Sequence, residues 1–260
     1  MTVALLVIFY PDKAQKAFDL LKRLMKKIPD GQNKILIVNI SPQEITLEGE
    51  PEIYWLPTPS NWEFSGWAYL FNKLDRDDLT GGVIFANDTF CHHRPWSLVD
   101  NMFFRSAILN AKQRTTPALA GEICSLGSDF GIRGATSDHW ISSYLFYANR
   151  NYAENLLEAY FDEIADMGKE VSLSEDELYF SSEVTSGLAT VLKKWMDPTS
   201  ESSWRPNETN IHLLETKTKI ILCEMYFSFY SIKNNTVLVD CYGPRWSIRG
   251  IWRILIRKII

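Results

Sequence analysis

Residues 3–9 are consecutive apolar positions rich in β-branched side chains, the pattern of a strand buried on both faces of a parallel sheet. The spacing then becomes helical over residues 14–28. Ala17, Phe18, Leu20, Leu21, Leu24, Met25 and Ile28 fall on one stripe, with Lys13, Lys16, Lys22, Lys26 and Lys27 largely opposite. Pro29-Asp30-Gly31 stops that helix, and residues 35–38 supply a second buried strand ending at Asn39. Strand, helix, strand in so short a span is a βαβ unit, whose crossover is right-handed.

A third short strand is expected at residues 53–56, leading through Pro57-Thr58-Pro59-Ser60-Asn61 into a helix around residues 67–74. Residues 82–86 read as a fourth buried strand, followed at once by Asn87-Asp88-Thr89. Beyond it the pattern predicts a helix at 97–112, a strand near 118–123 and a Gly-rich loop through Gly134. Helices are expected at about 138–147, 151–168 and 175–196, and a polar stretch at 197–209 precedes the C-terminal segment. These elements describe an α/β fold, a mostly parallel sheet flanked by helices. The reading divides it into a ligand-binding core over residues 1–150 and a helical part over residues 151–260.

Composition narrows the classes. Hydrophobic residues at 46% and charged residues at 23% exclude long disorder and fibrous architectures. No run of about 18 apolar residues appears, and the first strand lacks the basic flank and cleavage site of a signal peptide. The four cysteines, Cys91, Cys124, Cys223 and Cys241, form no ligand-spaced group, so they read as reduced thiols of a cytoplasmic protein. A net charge of −5 excludes a general nucleic-acid footprint. The charge is uneven, however. Arg245, Arg249, Arg253 and Arg257 recur at every fourth position after Gly243-Pro244, with Lys258, Trp246 and Trp252 among them and no acid. That is the composition of a basic amphipathic helix, and it predicts peripheral contact with an anionic membrane, at the inner face of the plasma membrane for a cytoplasmic chain.

In an open parallel sheet, ligands gather beyond the carboxyl ends of the strands. Phe9, Tyr10, Asn39, Asn61 and Asn87-Asp88-Thr89 fall on that edge, and Asp88, in a strand-end loop rather than the core, reads as replaceable without loss of fold. An acid there, beside a hydroxyl, suits a ribose or a divalent ion, while a turn after a strand favours Asn and Asp in any case. Glu63 and Gly66 in Asn61-Trp62-Glu63-Phe64-Ser65-Gly66-Trp67 mark a helix start where Gly66 permits close approach of a phosphate. Ser137 or Asp138 is expected to cap the next helix, leaving Asp138 and His139 at its exposed start as candidate acid–base groups.

Taken in order, the βαβ unit, Asn61-x-Glu63-Phe64-Ser65-Gly66-Trp67, the strand ending Asn87-Asp88-Thr89-Phe90 and His139-x-x-Ser142-Ser143-Tyr144 resemble the rhamnan-synthesis protein F group of glycosyltransferases. The resemblance covers about residues 3–150. It implies a GT-A fold, a Rossmann-like sheet on which the acidic motif faces a nucleotide-sugar donor. It further implies transfer of a sugar, with rhamnose as one donor group, to a glycan or lipid-linked glycan acceptor in cell-surface polysaccharide (O-antigen) assembly. Phe9, Tyr10, Asn39, Asn61, Glu63, Gly66, Asn87, Asp88 and Thr89 become the donor-binding set, Asp138 and His139 the catalytic pair, and Asp88 the ligand of a Mg2+ or Mn2+ ion. Two departures stand out. The wider pattern has two aspartates around one residue where this chain has Asp88 alone, and Ser142 occupies a position where the group carries Gln. An inactive scaffold or carbohydrate-binding subunit on the same fold is the alternative expectation.

Overall fold

The computed structural model describes residues 1–30, 33–49, 51–57, 62–92, 95–175, 177–197, 199 and 213–243. In chain order the elements are β1 (Thr2–Ile8), α1 (Ala14–Met25), β2 (Asn33–Asn39), β3 (Ile53–Trp55), α2 (Trp62–Phe71), β4 (Val83–Asn87), α3 (Thr89–His92) and α4 (Leu98–Lys112). They continue with β5 (Ala118–Ile132), β6 (Ala135–Ala148), α5 (Arg150–Asn155), α6 (Leu157–Ala165), β7 (Val171–Ser174), β8 (Glu177–Phe180), α7 (Ser186–Trp195), α8 (Leu214–Lys233) and β9 (Val237–Asp240). Asn61 and the basic segment from Arg245 to Lys258 lie outside the described residues.

Seven strands form one sheet in the order β3-β2-β1-β4-β6-β5-β9. The pairings β1–β2, β1–β4, β2–β3 and β5–β9 are parallel, and β4–β6 is antiparallel. The expected α/β fold with a mostly parallel, helix-flanked sheet is the one observed. β1 has no exposed residue, which is why its sequence shows no alternation. Ala4, Leu6 and Ile8 pack with α1 and α4 on one face. On the other face α2 lies against the sheet, with Trp67 edge-on to Phe85 and Phe146 at centroid distances of 5.6 and 5.5 Å. Gly66 makes that approach feasible, since a Cβ there would stand 2.9 Å from Val7 Cγ2 and 3.1 Å from Val38 Cγ1. Chain order runs outward from β1 to β3 and then returns to β4 on the other side of β1. Right-handed crossovers require the connecting helices to change face at such a reversal. α1 and α2 do so.

The chain forms two compact units. The first comprises Met1–Ile123, Ile141–Glu158 and the stretch from Asn235 onward. The second comprises Cys124–Trp140 and Ala159–Asn234. In the second unit β7 and β8 pair antiparallel, and Arg133 makes an ion pair with Glu170 at 2.7 Å. Tyr160 donates its hydroxyl to the Cys223 carbonyl of α8 at 3.0 Å. Nearly every residue of α8 from Ile220 to Ser231 is buried.

Three expectations are corrected here. Residues 138–147 are strand, not helix. β5 runs on through the expected Gly-rich loop to Ile132. Residues 175–196 hold β8, a turn and α7 rather than one helix.

Candidate functional site

The order reversal lies between β1 and β4, so the loops that follow these strands meet at the topological switch point of the sheet. Asp88 joins them. Its Oδ2 accepts hydrogen bonds from the Phe9 and Tyr10 amides at 2.9 and 2.6 Å, and its own N–H donates to the Val7 carbonyl at 3.1 Å. The side chain has no exposed surface, contrary to the expectation of an acid free in a loop, and Oδ1 has no hydrogen-bond partner among the described residues. Burial pushes the Asp88 carboxyl up to about 7, against the opposing pull of the two amides. The flanking residues are local struts. Asn87 Oδ1 accepts from the amide of Thr89 at 3.2 Å and from its hydroxyl, an Asx turn that starts α3.

Asn39 does the same work at the end of β2. Its Oδ1 accepts from Ser41 N at 3.0 Å and its Nδ2 donates to the Gln43 carbonyl at 2.6 Å, and it is buried. Gly66 is likewise turned toward the sheet, so its place is explained by packing on Val7 and Val38 and not by approach of a phosphate.

The other described side chains of this edge are aromatic and hydroxylic, with one carboxylate. The half-buried Phe9 ring meets Trp62 edge-on at 5.9 Å, and Tyr10 lies 4.3 Å from the His92 ring. Burial, and after it the Asp88 charge, raises the Tyr10 hydroxyl above its ordinary pKa, so it stays a donor at neutral pH. Trp62 starts α2 with φ of +41°, a backbone that costs a bulky residue roughly 1 kcal/mol or more and that tends to occur at functional sites. Glu63, in the first turn of α2, accepts from Ser143 Oγ at 3.3 Å. A carboxylate there repels a phosphate and suits hydroxyl groups.

Asp138 and His139 sit in β6, in the portion belonging to the second unit. They are hydrogen-bonded to each other through His139 Nδ1, and each side chain is 46% exposed. Ser137 does not cap a helix. Its hydroxyl accepts from His139 N and donates to His139 O, both at 2.9 Å, a local loop within the strand.

Sequence reasoning missed Trp62 and Ser143 as partners at this edge. His92, which follows the acidic motif and reads as able to meet phosphate or acceptor, lies against Tyr10. Ser143 had no signal, because its meeting with Glu63 depends on β6 being a strand.

Among the described residues no three His, Cys, Asp or Glu side chains are grouped to hold a metal ion. Asp88, the expected metal ligand, has no exposed surface and spends Oδ2 on the Phe9 and Tyr10 amides, so it offers a metal ion no open oxygen. Of the cavities lined by described residues, one of about 380 Å3 around Lys112, Arg114 and Tyr147 and one of about 300 Å3 beside Phe18 and Lys22 lie away from this edge. The candidate site is placed by the switch point.

These features define a Rossmann-like α/β protein whose candidate ligand edge is organised around Asp88. No protein-family model matches the chain, and no curated protein matches it. Among solved structures it is similar to the crystal structure of 2-C-methyl-D-erythritol 4-phosphate cytidylyltransferase from Thermus thermophilus. The TM-score is 0.37 at 10% identity, over 82% of this chain and 98% of that one. A likeness of that degree carries no functional argument. The resemblance to the rhamnan-synthesis group therefore rests on the sequence motifs alone.

Proposed function

We propose that the chain is a glycosyltransferase that takes a sugar, rhamnose being the first to try, from a nucleotide-sugar donor and passes it to a glycan or lipid-linked glycan acceptor. The observation that carries this reading is the Asp88 strap across the two switch-point loops, flanked by the Phe9–Trp62 and Tyr10–His92 ring pairs. The rings offer a nucleotide base faces to stack on, and the motif assigns Thr89, whose hydroxyl donates to Asn87 Oδ1, to the donor's ribose or diphosphate. The motif assigns Glu63, which is buried and accepts from Ser143, to hydroxyls of the transferred sugar. In an inverting reaction the acceptor hydroxyl must lose a proton as it attacks, and the sequence resemblance alone assigns His139 to take it. Asp138, bonded to His139 Nδ1, leaves the other ring nitrogen free to act as base. Asp88, enclosed and bonded to two amides, does not fit the role of a metal ligand that the resemblance implies, so no step is assigned to a Mg2+ or Mn2+ ion.

The complete enclosure of Asp88 favours one second reading, an inactive scaffold that binds a sugar nucleotide and does not turn it over. Equilibrium binding and hydrolysis of a panel of nucleotide-sugars, with Mn2+ or with EDTA, test both. A donor should bind, and Trp62→Ala or Tyr10→Ala should weaken it about tenfold or more, the loss of one stacking contact. Binding without turnover selects the scaffold. Failure of every donor to bind at millimolar concentration overturns both readings.

A further inference from the structure

The layer formed by α1 and α4 presents a face that the transferase reading leaves unused. On α4, Leu98, Met102, Arg105 and Leu109 recur at i, i+4, i+7 and i+11, one stripe of a helix. Leu98 is 71% exposed and Met102 62%, which places both aliphatic side chains in water. On α1, Lys16, Leu20 and Arg23 repeat this spacing, with Lys27 just past the helix end, and the three cations are exposed. The stripes meet where Arg105 Nε donates to the Lys27 carbonyl at 2.7 Å. Lys16 Nζ donates to the Cys91 carbonyl of α3 at 3.0 Å.

Neither stripe holds an acid. Asp19 flanks the α1 stripe and accepts from Gln15 at 3.2 Å, and Asp100 is buried, accepting from Ser97 and Tyr242. Stripes that mix cations with exposed aliphatics stand out in a chain with 32 acidic and 27 basic residues. Scattered surface leucines are ordinary. Here they share a stripe with arginine.

We propose that the α1–α4 face docks on an anionic lipid bilayer, with Leu98 and Met102 entering the headgroup layer and Lys16, Arg23, Lys27 and Arg105 meeting lipid phosphates. Aliphatic side chains gain by leaving water for acyl chains, and cations gain near an anionic leaflet. A nucleic acid or an acidic protein would use the cations and leave Leu98 and Met102 without a role. The surface stands whether or not the transferase reading does.

The test is co-sedimentation of the full chain with phosphatidylglycerol-containing vesicles and with pure phosphatidylcholine vesicles, at low and high salt. Binding should require phosphatidylglycerol and weaken with salt. Arg23→Glu with Lys27→Glu, and separately Leu98→Ser with Met102→Ser, should each lower partitioning about tenfold or more while the melting temperature stays near that of the parent. These side chains are exposed, so the folded state tolerates both pairs. Equal binding to both vesicle types, no binding at all, or wild-type binding by either pair overturns the proposal. So does a chain with the five tail cations replaced by Gln that loses all binding while the helix-face pairs lose none. Full displacement by polyglutamate, with no effect of the Leu98 and Met102 changes, would assign the face to an acidic protein instead.

Discussion

At the scale of single residues, Asp88 combines a structural duty with an unusual titration. Its carboxyl titrates near 3.8 in an unfolded chain and is pushed up to about 7 in the fold by burial. The unfolded chain therefore sheds this proton first as pH rises. The folded state keeps its full advantage from this group below about pH 4, loses it progressively between about 4 and 7, and loses nothing more above that. Asp88→Asn should remove this slope, so that melting temperatures of variant and parent, followed from pH 4 to pH 8, diverge in that window. Parallel curves would mean that Asp88 is not the titrating group. Asp88→Ala removes the acceptor for two amides and should cost about 1–3 kcal/mol, measured by denaturant unfolding at pH 5. The position of this acid after a buried strand was legible in the sequence. Its burial was not, because the Phe9 and Tyr10 amides that it serves lie 78–79 residues away.

Among the elements, β1, α1, β2, β4 and α4 were legible for one reason. Each is fixed by its own hydrophobic period and, for α4, by a capping box at Ser97 and Asp100. β6 was not legible. Tyr144, Leu145, Phe146, Tyr147 and Ala148 are all buried, and a run buried on both faces has no alternation to separate strand from helix. The Ser137-Asp138 pair, which reads as an N-cap, closes a small loop within the strand instead. The assignment of a base therefore moves from a helix start to an exposed strand position, and replacement there should leave stability within about 0.5 kcal/mol of the parent. Under the transferase proposal, His139→Ala should lower turnover about 10²–10⁴-fold, with a smaller loss for Asp138→Ala, in a steady-state assay with donor saturating. Normal turnover by both variants would place the base elsewhere. α2 offers a different kind of test. Gly66→Ala forces a methyl against Val7 and Val38 and should cost about 1–3 kcal/mol by denaturant unfolding, through separation of helix and sheet. An unchanged midpoint would show that the helix shifts freely and that closeness at Gly66 is incidental.

At the scale of the whole molecule, the sequence suggested a simple succession, a core over residues 1–150 and a helical part after it, whereas the first compact unit is assembled from three separate stretches of chain. Hydrophobic periodicity is local and cannot report that the stretch after Asn235 returns to the sheet. There, β9 pairs parallel with β5, Ala118 opposite Val237 through Gly121 opposite Asp240. Asp240 Oδ1 then accepts from Ile123 N at 3.3 Å and Tyr242 N at 3.1 Å. Tyr242 is 1% exposed and donates its hydroxyl to Asp100 Oδ1 at 2.8 Å, a bond between residues 142 positions apart. Burial, and after it the neighbouring Cys241 and the acids Asp100 and Glu122, holds the Tyr242 hydroxyl well above its ordinary pKa, so it donates throughout the accessible range. Asp100 keeps its second oxygen on Ser97, which caps α4, so the returning chain and the helix cap share one buried carboxylate. Tyr242→Phe conserves the ring that packs on Phe103 and Phe104 and removes only the donor. It should cost about 1–3 kcal/mol, the penalty of a buried acceptor left without its partner. Because the bond ties α4 to the end of the chain, the loss should appear as faster hydrogen exchange in β9 and in the first turn of α4 together. Exchange that rises in only one of them would mean that the two segments are held independently and that the first unit does not depend on the return of its C-terminal strand.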